Sequence, residues 1–105
     1  MNQQTNESPL SNVTLNEEGY LTDFSQWTID VAKQIASEEE IELTDRHFEV
    51  LTFLQECHTN SVPLSIRTVG KKGPVTIKEF YELFPGGPLK KASRIAGILK
   101  PSSCI

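Results

Sequence analysis

The thiols and imidazoles of the 105-residue chain, the side chains suited to soft nucleophilic or borderline-soft metal chemistry, are Cys57, Cys104, His47 and His58. The two histidines are eleven residues apart, and no CxxC or Cys/His cluster accompanies them. That spacing fits no zinc site, so neither a bound metal nor a small-molecule cofactor is expected. Cys57 falls on the apolar stripe Phe48, Leu51, Leu54, Cys57 and reads as a core thiol. His47 and His58 read as surface residues of the same helix. Cys104 differs in kind. It stands next to last in Pro101-Ser102-Ser103-Cys104-Ile105, which reads as a free tail. A thiol gains little from burial there, so its chemistry is the reason expected for its presence. A thiolate on a flexible arm can attack a persulfide, take its outer sulfur and present it elsewhere. Extended, the seven residues from Ile98 up to Cys104 would reach roughly 23 Å. The adjacent C-terminal carboxylate disfavours the thiolate, while Lys90, Lys91, Arg94 and Lys100 would favour it and attract acidic partners.

These groups need a body to carry them. The polar start, residues 1–12, is expected to be a disordered leader. Val13-Thr14-Leu15 and Tyr20-Leu21-Thr22 flank Asn16-Glu17-Glu18-Gly19 and predict a β-hairpin. Trp27, Val31 and Ile35 recur every four residues and predict a helix over 27–37, with Glu38-Glu39-Glu40 as its solvated end. Thr44-Asp45 opens a second helix. Pro63 suits the first position of a short third segment, and residues 70–74 read as a loop. Thr76-Ile77-Lys78-Glu79 is a capping-box sequence, and Phe80, Leu83 and Phe84, with Tyr81 beside them, supply the inner face of the helix it opens. The last helix should start near Pro88 and end at Gly97, with Leu89, Ala92, Ile95 and Ala96 inward and Lys90, Lys91 and Arg94 facing solvent. The predicted class is a mainly α, small orthogonal helical bundle with an N-terminal β-hairpin and a helix-turn-helix-like core. Residues 13–97 form the domain and 98–105 a mobile arm.

Charge is unevenly spread. Residues 1–60 hold twelve acids and two bases; residues 61–105 hold two acids and eight bases. The two halves can attract each other, or the basic half can dock an acidic partner or nucleic acid. No run approaches the roughly 20 apolar residues needed to span a bilayer. No signal-peptide layout is present, so a cytoplasmic protein with reduced thiols and no membrane contact is expected.

The stretch Leu83-Phe84-Pro85-Gly86-Gly87-Pro88 through Ala92, Ala96-Gly97 and Lys100-Pro101 to Cys104 resembles the C-terminal signature of the DsrC/TusE family. Glu17-Glu18-Gly19-Tyr20-Leu21, Asp23-Phe24-Ser25-Gln26-Trp27 and Leu43-Thr44-Asp45-Arg46-His47-Phe48 resemble its N-terminal half. The resemblance implies a sulfur carrier more than a stand-alone enzyme, with Cys104 as the sulfur-bearing residue. It also implies an upstream persulfide donor and a downstream acceptor, either a tRNA-thiolating enzyme or a sulfite-reductase-like complex, with at most indirect tRNA contact. Members of the sulfite-reductase type carry a second cysteine at the position of Ser93, so this chain resembles the single-cysteine, TusE-like branch. Its stretch between Arg67 and Phe80 is several residues shorter than is usual in the family. A nucleic-acid-binding regulator is the alternative from another class, resting on the basic half and the helix-turn-helix-like order.

Overall fold

The computed structural model describes residues 13–100. Five α-helices follow one another: α1 (Ile29–Glu38), α2 (Asp45–Thr59), α3 (Ile66–Lys72), α4 (Ile77–Leu83) and α5 (Pro88–Ala96). Helix α5 is the hub. It packs on α1, α2 and α4, while α3 packs on α4. Leu89, Ala92, Ser93, Ile95 and Ala96 are all fully buried, so this short helix turns most of its surface inward. No helix among the described residues is long and apolar enough to cross a membrane.

The expected N-terminal β-hairpin does not form. One antiparallel bridge, Leu15 to Leu21, stands in its place. Two ladder bonds flank it, from the Asn16 amide to the Tyr20 carbonyl at 2.9 Å and from the Thr22 amide to the Thr14 carbonyl at 3.0 Å, but side chains take the reciprocal amides. Asn16 Oδ1 accepts the amides of Glu18 and Tyr20 at 2.9 and 3.0 Å, and the Thr14 amide donates to Gln26 Oε1 at 2.7 Å. Two residues after the bridge, Asp23 caps a 3-10 turn, Phe24–Gln26, which ends any strand.

The helix starts are mostly hydroxyl caps. Thr28 accepts the Val31 amide, Ser65 that of Thr68 and Thr76 that of Glu79, at 3.1 Å each. Helix α3 therefore opens after Ser65, and Pro63 lies in the connection before it, contrary to the sequence reading. The expected loop at 70–74 is half helix, because α3 continues through Lys72. Gly70 allows this by letting α4 approach: a Cβ there would lie 2.4 Å from Ile77 Cγ1.

Three helices share one ending. The amides of Ile41, Val62 and Ile98 reach back to the carbonyls of Ala36, Cys57 and Ser93. The residue before each amide is left-handed: Glu40 at φ 61°, Ser61 at 58° and Gly97 at 80°. Only Gly97 also meets a steric demand, since a Cβ would sit 2.4 Å from Trp27 Cδ1.

Candidate functional site

The end of α5 and residues 97–100 are the last described part of the chain before Cys104, which itself lies outside the described residues. Two side chains distant in sequence hold that end. The Trp27 indole N–H donates to the Ile95 carbonyl at 2.8 Å, and the Gln55 amide donates to the Ala96 carbonyl at 2.9 Å. Both carbonyls belong to the last turn of α5, whose acceptors have no partner within the helix. Ile98 then tucks into the core, and Leu99 emerges half exposed.

Lys100 borders two hollows. One is a charged cleft of about 250 Å³ lined by Glu18, Tyr20, Glu39, Gly86, Lys90, Lys91, Arg94 and Lys100. The other is a groove of about 440 Å³ lined by His58, Ser61, Val62, Pro63, Leu64, Ile98, Leu99 and Lys100. A larger hollow of about 530 Å³ lies between α1 and α2, among Lys33, Ala36, Ser37, Glu40, Ile41, Glu42 and Leu43, and is lined by no cysteine or histidine.

The cleft brings together all four cations singled out in the sequence, and it uses three of them internally. The Arg94 side chain is only 17% exposed. Its guanidinium meets Glu38 at 2.7 Å and Glu39 at 2.9 Å, and it donates to the Gly19 carbonyl at 3.0 Å. Lys91 donates to the Pro85 carbonyl at 2.8 Å and stands 3.8 Å from Glu39. Lys100 pairs with Glu18 at 3.0 Å. Arg94 therefore does not face solvent as the helical period predicts, and the acidic run after α1 is not merely solvated. Attraction between the two halves of the chain takes the physical form of these pairs. Lys90 stays exposed, and its carbonyl accepts the Tyr20 hydroxyl at 3.4 Å. With four cations against Glu18, Glu38 and Glu39, the cleft keeps a small positive balance beside Lys100.

Cys57 is buried, and burial followed by the neighbouring Glu56 pushes its thiol pKa up, against a smaller opposing effect of Lys72. That suits a core residue and makes a poor nucleophile at neutral pH. Ser93 is fully buried, and its hydroxyl finds no partner among the described residues.

His47, expected on the surface, is buried instead. The Thr44 amide can only donate, so His47 Nδ1 accepts it at 3.1 Å and Nε2–H donates to the Leu83 carbonyl at 2.9 Å. Its ring meets Phe84 edge-on at 5.1 Å. One side chain thus joins the start of α2 to the end of α4. Arg46 makes a parallel tie, bidentate to Glu79 at 2.7 and 2.9 Å. This leaves only the threonine half of the capping box expected at α4.

A family description reading "DsrC like protein" matches residues 8–105. The chain is 40% identical over 98 residues to the sulfurtransferase TusE of Buchnera aphidicola subsp. Schizaphis graminum, covering 84% of each chain. It is 32% identical over 93 residues to the gamma subunit of dissimilatory-type sulfite reductase from Nitratidesulfovibrio vulgaris, covering 87% of this chain and 89% of that one. Its fold superposes on the NMR structure of Allochromatium vinosum DsrC with a TM-score of 0.75 at 36% identity, covering 89% and 90% of the two chains.

Proposed function

The chain belongs to the DsrC family, and from that premise we propose that it is a sulfur carrier whose Cys104 holds the cargo as a persulfide. The Cys104 thiolate attacks the outer sulfur of a donor protein's persulfide. A new S–S bond forms at Cys104, the donor S–S bond breaks, and the donor leaves as a thiolate with no net redox change. An acceptor thiolate repeats the exchange in the forward direction. The observation that carries this reading is the inventory of sulfur. The chain has two cysteines, and Cys57 is buried with a raised pKa, which leaves Cys104 as the thiol suited to exchange. The positive balance of the cleft at Lys100 favours an anionic thiolate or persulfide near the body.

Ser93 separates this chain from a two-thiol cycle. A hydroxyl cannot join Cys104 through sulfur, so the reading is a one-thiol relay of the TusE kind, delivering toward a tRNA-thiolating enzyme in a reducing cytoplasm. The test is mass spectrometry after incubation with a persulfide-bearing donor protein. Sulfur addition confined to Cys104 is expected, absent in Cys104→Ser and unchanged in Ser93→Ala. Normal loading of the Cys104→Ser protein rejects the proposal.

A further inference from the structure

Three of the four cations at the cleft are held by the chain's own carboxylates or carbonyls, so they are poorly placed to meet a partner. Another group of cations is not held in this way. Between Glu56 and Glu79 the sequence has no carboxylate and carries Arg67, Lys71 and Lys72, with Lys78 next to Glu79. All four are exposed, and no carboxylate among the described residues lies within ion-pair distance of them. Glu79, the nearest acid in sequence, is turned away to Arg46. Glu82 lies one turn beyond Lys78 without pairing to it, and a Lys-then-Glu order is the weaker one for such a pair.

Apolar side chains surface in the same place. Ile77 is 43% exposed and Tyr81 46%, on successive turns of α4. Ile77 lies against Gly70 of α3, so the two seven-residue helices offer one continuous surface. Arg67 precedes Gly70 by one turn of α3, and Lys78 precedes Tyr81 by one turn of α4. We infer that this α3–α4 face, with Ile77 and Tyr81 at its centre and Arg67, Lys71 and Lys78 around them, docks an acidic protein partner.

An apolar centre with a charged rim is how protein–protein interfaces are built. A single-stranded nucleic acid would be served by several aromatic platforms, and Ile77 has no ring face for a base to stack on. A second copy of the chain is disfavoured as well. A two-fold contact would set three cations against three. The inference concerns where a partner sits, and it holds or fails independently of sulfur on Cys104.

The experiment follows backbone amide shifts of the full chain during titration with a glutamate-rich peptide carrying one Leu and one Phe. The comparison probe is a single-stranded RNA of equal charge. Shifts should centre on α3 and α4 and fade with added salt. Arg67→Glu/Lys71→Glu should weaken the peptide at least about tenfold, and Arg67→Gln/Lys71→Gln by a smaller factor, whereas Lys90→Glu should change it less than about twofold. Circular dichroism confirms that each variant folds, and the glutamine pair serves if the glutamate pair does not. Shifts centred on α5, or equal losses from Lys90→Glu, overturn the inference. So does tighter binding of the RNA, and so do concentration-dependent shifts of this face without any probe. Cys104 loading by a donor, measured separately, reports on the carrier reading alone.

Discussion

Helix α5 and the α3–α4 pair both lie in the basic half of the chain, and they use their cations in opposite ways. On α5, Lys91 and Arg94 are drawn inward to Glu38, Glu39 and the Pro85 and Gly19 carbonyls, and they bind the N-terminal segments to the helix that launches the C-terminal segment. On α3 and α4 the cations project without a described carboxylate near them, beside exposed Ile77 and Tyr81. Net charge by segment cannot tell these cases apart. What separates them is whether the fold brings a carboxylate within a few ångströms, since a partly desolvated pair interacts far more strongly than an exposed ion.

The contrast can be broken or sharpened by experiment, and glycines give its largest test. Gly97→Ala puts a Cβ into Trp27 at a left-handed residue, with an expected loss of about 3 kcal/mol in denaturant unfolding. Gly70→Ala puts a Cβ 2.4 Å from Ile77 Cγ1, so the half-exposed Ile77 must shift, but the backbone there is helical and gains propensity. Its net loss should be smaller, about 1 kcal/mol. Equal losses at both glycines would remove the distinction between a packed launch point and a yielding surface.

Charges give the second test. Arg94→Met leaves Glu38 without its partner and Glu39 with only Lys91 at 3.8 Å and should cost about 2 kcal/mol by thermal melting, while Arg67→Ala and Lys71→Ala should each stay within about 0.5 kcal/mol. A melting loss at Arg67 as large as that at Arg94 would mean that α3 hides a pair of its own.

The third test uses pH. The Arg46 hydrogen bonds lower the pKa of Glu79 from its ordinary 4.5, against a smaller opposing effect of desolvation. A depressed carboxylate lends stability that is fully present above its unfolded-state pKa, near 4.5, and is lost as pH falls through the lower folded-state value. Stability should therefore drop in acid, and Glu79→Gln should flatten that drop without changing the profile near neutrality. An unchanged acid limb in Glu79→Gln would show that the α2–α4 tie contributes nothing.

The smallest effect belongs to Lys100. Its pair with Glu18 is exposed on both sides, so Lys100→Ala should cost less than about 0.5 kcal/mol and leave the melting temperature nearly constant. A larger loss would show that the root of the terminal segment is clamped to the N-terminal loop.

Much of the scaffold was legible because local signals act locally. Thr44 and Thr76 mark helix starts, Pro88 and Gly97 bound α5, and the apolar period gave its buried face, whereas the first helix starts at Ile29 after the Thr28 cap and not at Trp27 as the stripe suggests. The endings of α1 and α2 were not legible, because Glu40 and Ser61 take a left-handed conformation that composition associates with glycine. The hairpin misled for a related reason. Alternation and a Gly-closed turn were present, but Asn16, Gln26 and Asp23 offered the backbone nearer partners than a second strand. His47 was missed because its value lies in meeting Leu83, 36 residues away, which no spacing rule reports.

The sequence by itself determined which helices form, which faces are apolar and that Cys57 is a core thiol. It did so because caps, periodicity and cysteine placement act over one or two turns of chain. Only the tertiary structure decided which cations are spent inside the molecule and which are left for others. Ion pairing depends on distances of a few ångströms between residues more than fifty positions apart, such as Arg94 and Glu38, and those distances exist only once α5 has packed against α1.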